Sequence, residues 1–356
     1  MAEGTQGPAA LIGQVVGGYR LERVLGKGAS GVVFLSRWAG SGERLRVEHV
    51  GGLSVELPDE VAIKTLILPW QFDDAERADF RARFQREAET QQQRLRHPHI
   101  VTVLAYGEDA ASGLAYMVQP YLRGGTLADR MAARTGPVPL AEIAAITRQL
   151  ADGLDYAHHQ GVIHRDIKPA NVLLNERGEA YRTAFSIVRL LQDTQSKLTA
   201  TGQVLGTPQY MATEQLASGQ VGPAADIYGL GMVAYELVTG RPAFEGPSLV
   251  DVLRQQTRAA PPASPALRPD LPAPAEAALL KALAKRPEDR FASASAFAEA
   301  FERGLQGQWP VELAASGSQT TVASTPPPTM VGAPPWAAHG APYGGGSWPL
   351  TPQPRQ

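Results

Sequence analysis

The segment that most constrains this chain is His164-Arg165-Asp166-Ile167-Lys168-Pro169-Ala170-Asn171. It places a carboxylate, an ammonium group and a carboxamide close together. A carboxylate can accept a hydroxyl proton, an ammonium can neutralise a phosphoryl group, and an amide oxygen suits a hard cation. The flanks narrow the reading. Ile143, Ile146, Leu150, Leu154 and Ala157 recur on one face of a predicted helix over Leu140 to Gln160. Val172-Leu173-Leu174 then reads as an apolar strand. The polar run is therefore a loop between a helix and a strand.

The preceding chain is strand-rich. Tyr19 to Leu25, Val32 to Trp38 and Val61 to Leu66 are short runs of β-branched and aromatic residues. Gly26-Lys27-Gly28-Ala29-Ser30-Gly31 lies between the first two. A dinucleotide-binding unit needs a helix after such glycines, whereas Val32-Val33-Phe34-Leu35 is a strand. The context is strand–turn–strand, where small residues let backbone N–H groups approach phosphates. Between the second and third runs, Glu43 to Val47 and Leu53 to Leu57 alternate around Gly51-Gly52, a hairpin signature. Val61-Ala62-Ile63-Lys64 ends in a lysine, and Asp74 to Arg96 reads as a helix with Glu87 or Glu89 available to pair with it. His99 to Tyr106 and Leu114 to Tyr121 are predicted strands. Beyond residue 123 the pattern turns helical, over Ala224 to Thr239, Ser248 to Gln256, Pro274 to Leu283 and Ala292 to Phe301.

These motifs, in this order, resemble the bacterial eukaryotic-like (Hanks-type) serine/threonine protein kinases over about residues 19 to 303. Lys168-Pro169-Ala170-Asn171 resembles the serine/threonine rather than the tyrosine branch. The resemblance implies an α+β, bilobal protein-kinase fold, with a β-rich N-lobe over about 19–122 and a larger helical C-lobe over about 123–303. It implies ATP held by Gly26, Gly28, Gly31, Val33, Ala62 and Lys64, by Pro120 and Leu122 at the hinge, and by Leu173 beneath the adenine. Pro120 lacks an N–H but keeps the carbonyl that the adenine would use. Lys64 with Glu87, Asp166 and Lys168 would be the catalytic set, and Asn171 a magnesium ligand. Gly206 to Glu214 resembles the substrate platform, with Thr213 in place of a proline. Arg290 would pair with Glu214, and Asp226 would brace the catalytic loop. Thr199 and Thr201 match regulatory phosphothreonine positions, with Arg165 a partner for the phosphate.

The departures concern metal and activation. Ala184-Phe185-Ser186 stands where the family carries Asp-Phe-Gly, so the Mg2+ site is expected to be weakened or absent. Ser186 removes a glycine's access to positive φ. The apolar column between the lobes should take a residue from the first helix. Counted from Glu87 that is Gln91, and counted from His97 it is Gln92; both are polar. Two readings follow. One is an ATP-binding, catalytically impaired kinase or pseudokinase serving as a signalling module. The other is an active kinase with its metal held by Asn171. A small-molecule phosphotransferase is disfavoured by the platform segment.

Composition bounds the rest. The 356 residues carry a formal net charge of -2, which gives no argument for nucleic acid or a membrane surface as partner. Without cysteine, disulfides, zinc–thiolate sites and thiol catalysis are excluded, which fits a cytoplasmic protein. No apolar run suggests a signal peptide or a membrane span. Residues 1–18 read as a short extension. Residues 304–356, dense in Pro, Gly, Ser and Thr, read as a disordered tail whose Trp309, Trp336 and Trp348 read first as incidental aromatics of a linker and second as contacts for a partner protein. A protein substrate or signalling partner is expected, and a dimer is compatible with the resemblance.

Overall fold

The first strands build a sheet with a core on each face, one of them covered in part by the helix Asp74–Arg94. The computed structural model describes residues 8–28, 31–40, 46–48, 54–68, 72–183, 208–216 and 221–310. All fall in the first of two units, Met1–Ala315, and the second, Ser316–Gln356, lies outside the described residues. In the N-lobe, β1 (Val15–Val16), β2 (Tyr19–Gly28), β3 (Gly31–Trp38), β6 (Glu60–Thr65), β8 (Ala115–Pro120) and β7 (Ala105–Glu108) form one antiparallel sheet in that order. β4 (Arg46–Glu48) and β5 (Ser54–Glu56) make a separate hairpin between β3 and β6, as the alternation predicts. Tyr19, Leu21, Phe34, Val61, Ile63 and Val118 pack into a core on one face of the large sheet. Opposed residues share a face, so the Val33–Lys64 and Ala62–Gln119 pairs line the other face, toward the cleft.

Helix α1 (Asp74–Arg94) starts on an Asp73 capping box closed by Glu76 and buries Phe80, Phe84, Ala88 and Gln91. The strand predicted over His99 to Tyr106 is shorter. Only Ala105–Glu108 joins the sheet, because Val101 N–H bonds the Arg182 carbonyl at 2.9 Å and carries this stretch toward the C-lobe. The extension before Tyr19 is more structured than expected. It contains a 3-10 turn over Pro8–Leu11, and β1 adds an edge strand with Val16 fully buried.

The C-lobe comprises α2 (Leu127–Ala132), α3 (Leu140–His159), the short strands β9 (Val172–Leu174) and β10 (Ala180–Arg182), and α4 (Thr213–Leu216). It continues with α5 (Pro223–Thr239), α6 (Leu249–Arg258), α7 (Ala273–Ala282) and α8 (Ala294–Leu305). α5 is buried almost all round, from Ala225 to Val238, and ends at Gly240 in the left-handed region (φ 76). Its flanks pack on α3, α7 and α8, which places the loop between α3 and β9 beside the first turn of α5. Among the described residues no helix is long and apolar enough to cross a membrane.

Gly31 has φ 138, and a Cβ there would run into the Thr65 carbonyl of β6. Gly26 and Gly28 face open space instead. Gly31→Ala is expected to cost about 1–3 kcal/mol of stability by urea denaturation. Gly26→Ala is expected to stay within about 0.5 kcal/mol of wild type.

Candidate active site

The loop from His164 to Asn171 is held from below by one carboxylate. Asp226, in the first turn of α5, is fully buried. Its Oδ2 accepts from the His164 backbone N–H at 2.8 Å and from His158 Nε2 at 2.8 Å, and its Oδ1 accepts from the Arg165 N–H at 2.6 Å. Burial alone would raise the Asp226 pKa. The His158 bond and the charges of His158, His164 and Arg182 outweigh it and hold the carboxyl below its ordinary value. These bonds lock an unusual backbone, because Arg165 has φ 69, the one positive φ outside glycine among the described residues. Burial, helped by the Arg182 charge, pushes His164 down to about 4. The imidazole is therefore neutral at pH 7. It donates through Nε2 to the Thr183 carbonyl (3.3 Å) and accepts the Asp166 N–H at Nδ1 (3.2 Å).

On the upper face the three expected groups come together. Lys168 Nζ lies 2.9 Å from Asp166 Oδ2. Asn171 Nδ2 donates to Asp166 Oδ2 at 2.7 Å and to the Asp166 carbonyl at 2.8 Å. The Thr183 N–H and hydroxyl both donate to the Asn171 carbonyl, at 2.9 and 3.0 Å, tying the end of β10 to this loop.

Across the cleft, Lys64 Nζ lies 3.7 Å from Glu87 Oε1, with both side chains nearly buried. Glu89 is exposed and bonds Gln93, so the choice between the two glutamates falls on Glu87. Burial pushes the Glu87 carboxyl up to about 7, with Lys64 and Gln91 pulling it back only in part. Gln91 is the buried candidate for the interlobe column, and its Nε2 donates to Glu87 Oε1 at 3.1 Å. Gln92 donates to the Leu104 carbonyl at 2.9 Å. The amide nitrogen of each finds a partner, while the Gln91 Oε1 is buried with none among the described residues. Val33 and Ala62 sit on the cleft face of the sheet; Pro120 ends β8, with Leu122 just beyond it, and Leu173 lies in β9 opposite Tyr181.

The platform side is also joined as expected. Arg290 Nη1 and Nη2 meet the two Glu214 oxygens at 2.7 and 2.9 Å, while its guanidinium lies over the Tyr228 ring. Thr213, where a proline was expected, donates its hydroxyl to the Lys285 carbonyl at 2.5 Å. Ala184, Phe185, Ser186, Thr199, Thr201, Gly206 and Thr207 lie outside the described residues.

One buried group escaped the sequence reading. Arg182 is 1% exposed, two residues before Ala184. Burial pulls its pKa down to about 10, with Asp226 opposing. The Ala180/Arg182 alternation in a short strand was the available signal, but an arginine is normally assigned to the solvent face.

Of the positions where a magnesium ligand is expected, Asn171 is described and position 184 is not. Asp166 Oδ2 is already engaged by Lys168 and Asn171, and the Ala184 methyl cannot ligate. Among the described residues no group of three His, Cys, Asp or Glu side chains could hold a metal ion. The Asn171 Oδ1 and the Asp166 Oδ1 are hard oxygen donors on this face.

Residues 19–301 match the family model described as the protein kinase domain. A probable serine/threonine-protein kinase of Streptomyces coelicolor is 35% identical over 304 residues, covering 85% of this chain and 42% of that protein. The serine/threonine-protein kinase PknB of Mycolicibacterium smegmatis is 33% identical over 319 residues, covering 88% and 48%. The serine/threonine-protein kinase PrkC of Bacillus subtilis is 35% identical over 285 residues, covering 80% and 40%. The chain spans less than half the length of each of these relatives.

The raised Glu87 pKa has a definite sign. Between about 4.5 and about 7 the folded state binds more protons at this site than the unfolded chain, so its contribution to stability falls as pH rises through that window. Glu87→Gln is expected to remove this component, up to about 1.4 kcal/mol per pH unit. Urea denaturation of both proteins across the window measures it, and parallel curves would refute it.

Proposed function

Because the chain belongs to the protein kinase family, in its bacterial serine/threonine branch, we propose that it binds ATP in the cleft and transfers phosphate poorly. The observation that carries the second half is the donor set. The loop keeps Asp166, Lys168 and Asn171 assembled, but alanine stands at the position of the family's main metal carboxylate.

On this reading each retained residue has a task. Gly26, Gly28 and Gly31 bring backbone N–H groups over the phosphates. Lys64, steadied by Glu87, meets the α- and β-phosphates. Pro120 O and Leu122 N–H take the adenine, with Val33 and Ala62 above it and Leu173 below. Asp166 orients a substrate hydroxyl and Lys168 neutralises the moving phosphoryl group. Magnesium, when bound with the nucleotide, supplies charge neutralisation worth several kcal/mol. If about 4 kcal/mol is lost with the carboxylate, turnover falls about a thousandfold. The partners are a protein substrate or signalling protein, and Thr199 and Thr201 remain the proposed regulatory phosphorylation sites.

A second reading, an active kinase relying on Asn171 for metal, is favoured by the completeness of the Lys64–Glu87 and Asp166–Lys168–Asn171 contacts. Autophosphorylation with magnesium or manganese separates the two. Wild type is expected to show little turnover and Ala184→Asp a gain of at least about tenfold, about 1.4 kcal/mol in the barrier, with Lys64→Ala silent. Robust turnover in wild type that is lost in Lys64→Ala would establish the second reading. Thermal shift with ATP, with and without metal, measures binding separately.

A further inference from the structure

We propose that Glu87 and Gln91 form a carboxylic acid–carboxamide pair that holds a proton beside Lys64, and that loss of this proton restores the anion that steadies the lysine. What this does for the phosphates rests on the nucleotide-binding reading above. The pair itself does not, because it stands on contacts within the N-lobe.

Gln91 is 2% exposed. Its Nε2 donates to Glu87 Oε1 at 3.1 Å, while its own Oε1 has no hydrogen-bond partner among the described residues. Native proteins seldom leave a buried polar atom in that state. Turning the amide over gives no relief, since its oxygen would then face a carboxylate oxygen, and an ionised carboxylate has no proton to offer. A protonated one does. With an O–H on Glu87 the two planar groups can close a ring of two hydrogen bonds. One runs from the amide N–H to a carboxyl oxygen and is already in place. The other runs from the carboxyl O–H to the amide oxygen. A single proton thus satisfies the unpartnered acceptor.

The surroundings favour the neutral acid. The Glu87 side chain is nearly buried, and its neighbours on α1, Phe84 and Ala88, pack with Leu66, Val103 and Met117 in an apolar core. Burial of this kind penalises the charged form and places the carboxyl at about 7. Lys64, from β6, is the charge that opposes it, and its Nζ stands 3.7 Å from Glu87 Oε1, beyond hydrogen-bond range. Other charged groups on or beside α1 are engaged elsewhere. Arg83 pairs with Asp79 along the helix, Arg86 turns to the Ala82 carbonyl, and Arg81 meets Glu108 of β7. β7 also brings Tyr106 to this core and β8 brings Met117, while Tyr116 of β8 lies in the core on the opposite face of the sheet. Below the midpoint the carboxyl is therefore an acid bonded to Gln91, and above it an anion available to Lys64.

Carbon-13 NMR of the full chain without nucleotide tests the pair, following the Glu87 carboxyl, the Gln91 amide carbon and the Lys64 ε-carbon from about pH 5 to about pH 9. Glu87 is expected to titrate with a midpoint at about 7. The Gln91 signal is expected to move with the same midpoint as it loses the O–H donor, and the Lys64 signal as its counter-ion forms. In Glu87→Gln both are expected to stay still through that window. A Glu87 carboxyl already ionised at about pH 5 would overturn the proposal. A Gln91 signal that stays fixed while Glu87 titrates would overturn it by removing the second hydrogen bond, and a fixed Lys64 signal by uncoupling the lysine. Movement that persists in Glu87→Gln would overturn it by tracing the change to another group. The wild-type titration decides even if the variant fails to fold. Failure to bind ATP in a thermal-shift assay would overturn the nucleotide-binding reading alone, since no nucleotide enters the titration.

Discussion

The Asp226 carboxylate is the constraint on which the rest of the site depends. It is fully buried and it accepts hydrogen bonds from two consecutive backbone amides of the catalytic loop as well as from His158. Such a charge is tolerated only when its lone pairs are satisfied. The same bonds hold Arg165 at φ 69, a backbone that local preference disfavours. With that turn fixed, Asp166, Lys168 and Asn171 emerge on one side, and neutral His164 reaches Thr183 on the other. α5 supplies the rigidity, since its own packing buries it almost all round.

Much of this was legible in the residues, and the reasons differ from place to place. The octapeptide was readable because its chemistry is dense, whereas the bracing role of Asp226 came only from the family resemblance. The Arg290–Glu214 pair was readable because two charges recur at fixed places relative to other motifs. Glu87 and Glu89 could not be separated by counting, since a helix admits a one-residue drift; the exposure of Glu89 separates them. The run from His99 to Tyr106 is apolar and β-branched, which suits a strand. Its first half is buried by interlobe contact with β10 instead, a tertiary effect that no local window contains. β1 is too short for any periodicity to register.

Two departures from the family pattern, at the interlobe column and at Thr213, put polar groups where apolar ones are expected. Gln91 bonds the carboxylate that steadies Lys64, Gln92 caps a backbone carbonyl, and Thr213 reaches across to Lys285. Arg182 brings a cation into the C-lobe interior near the anionic Asp226, within two residues of the position that has lost its own carboxylate.

The hairpin between β3 and β6 carries a consequence of polymer physics. β3 and β6 are neighbours in the sheet, and the chain from Ala39 to Asp59 stands where a tight turn would suffice. Closing a longer loop costs entropy that grows only with the logarithm of its length, about 2 kcal/mol for such an exchange. Burial of Leu57, at about 1.5–3 kcal/mol, offsets a loss of that size. The bond from Trp38 N–H to the Asp59 carbonyl, 2.8 Å, closes the base of the loop. The return limb is tied to the sheet as well, since Leu57 packs into the N-lobe core and the Pro58 carbonyl accepts the Tyr19 hydroxyl at 3.0 Å, so changes of length or sequence there would be felt in that core.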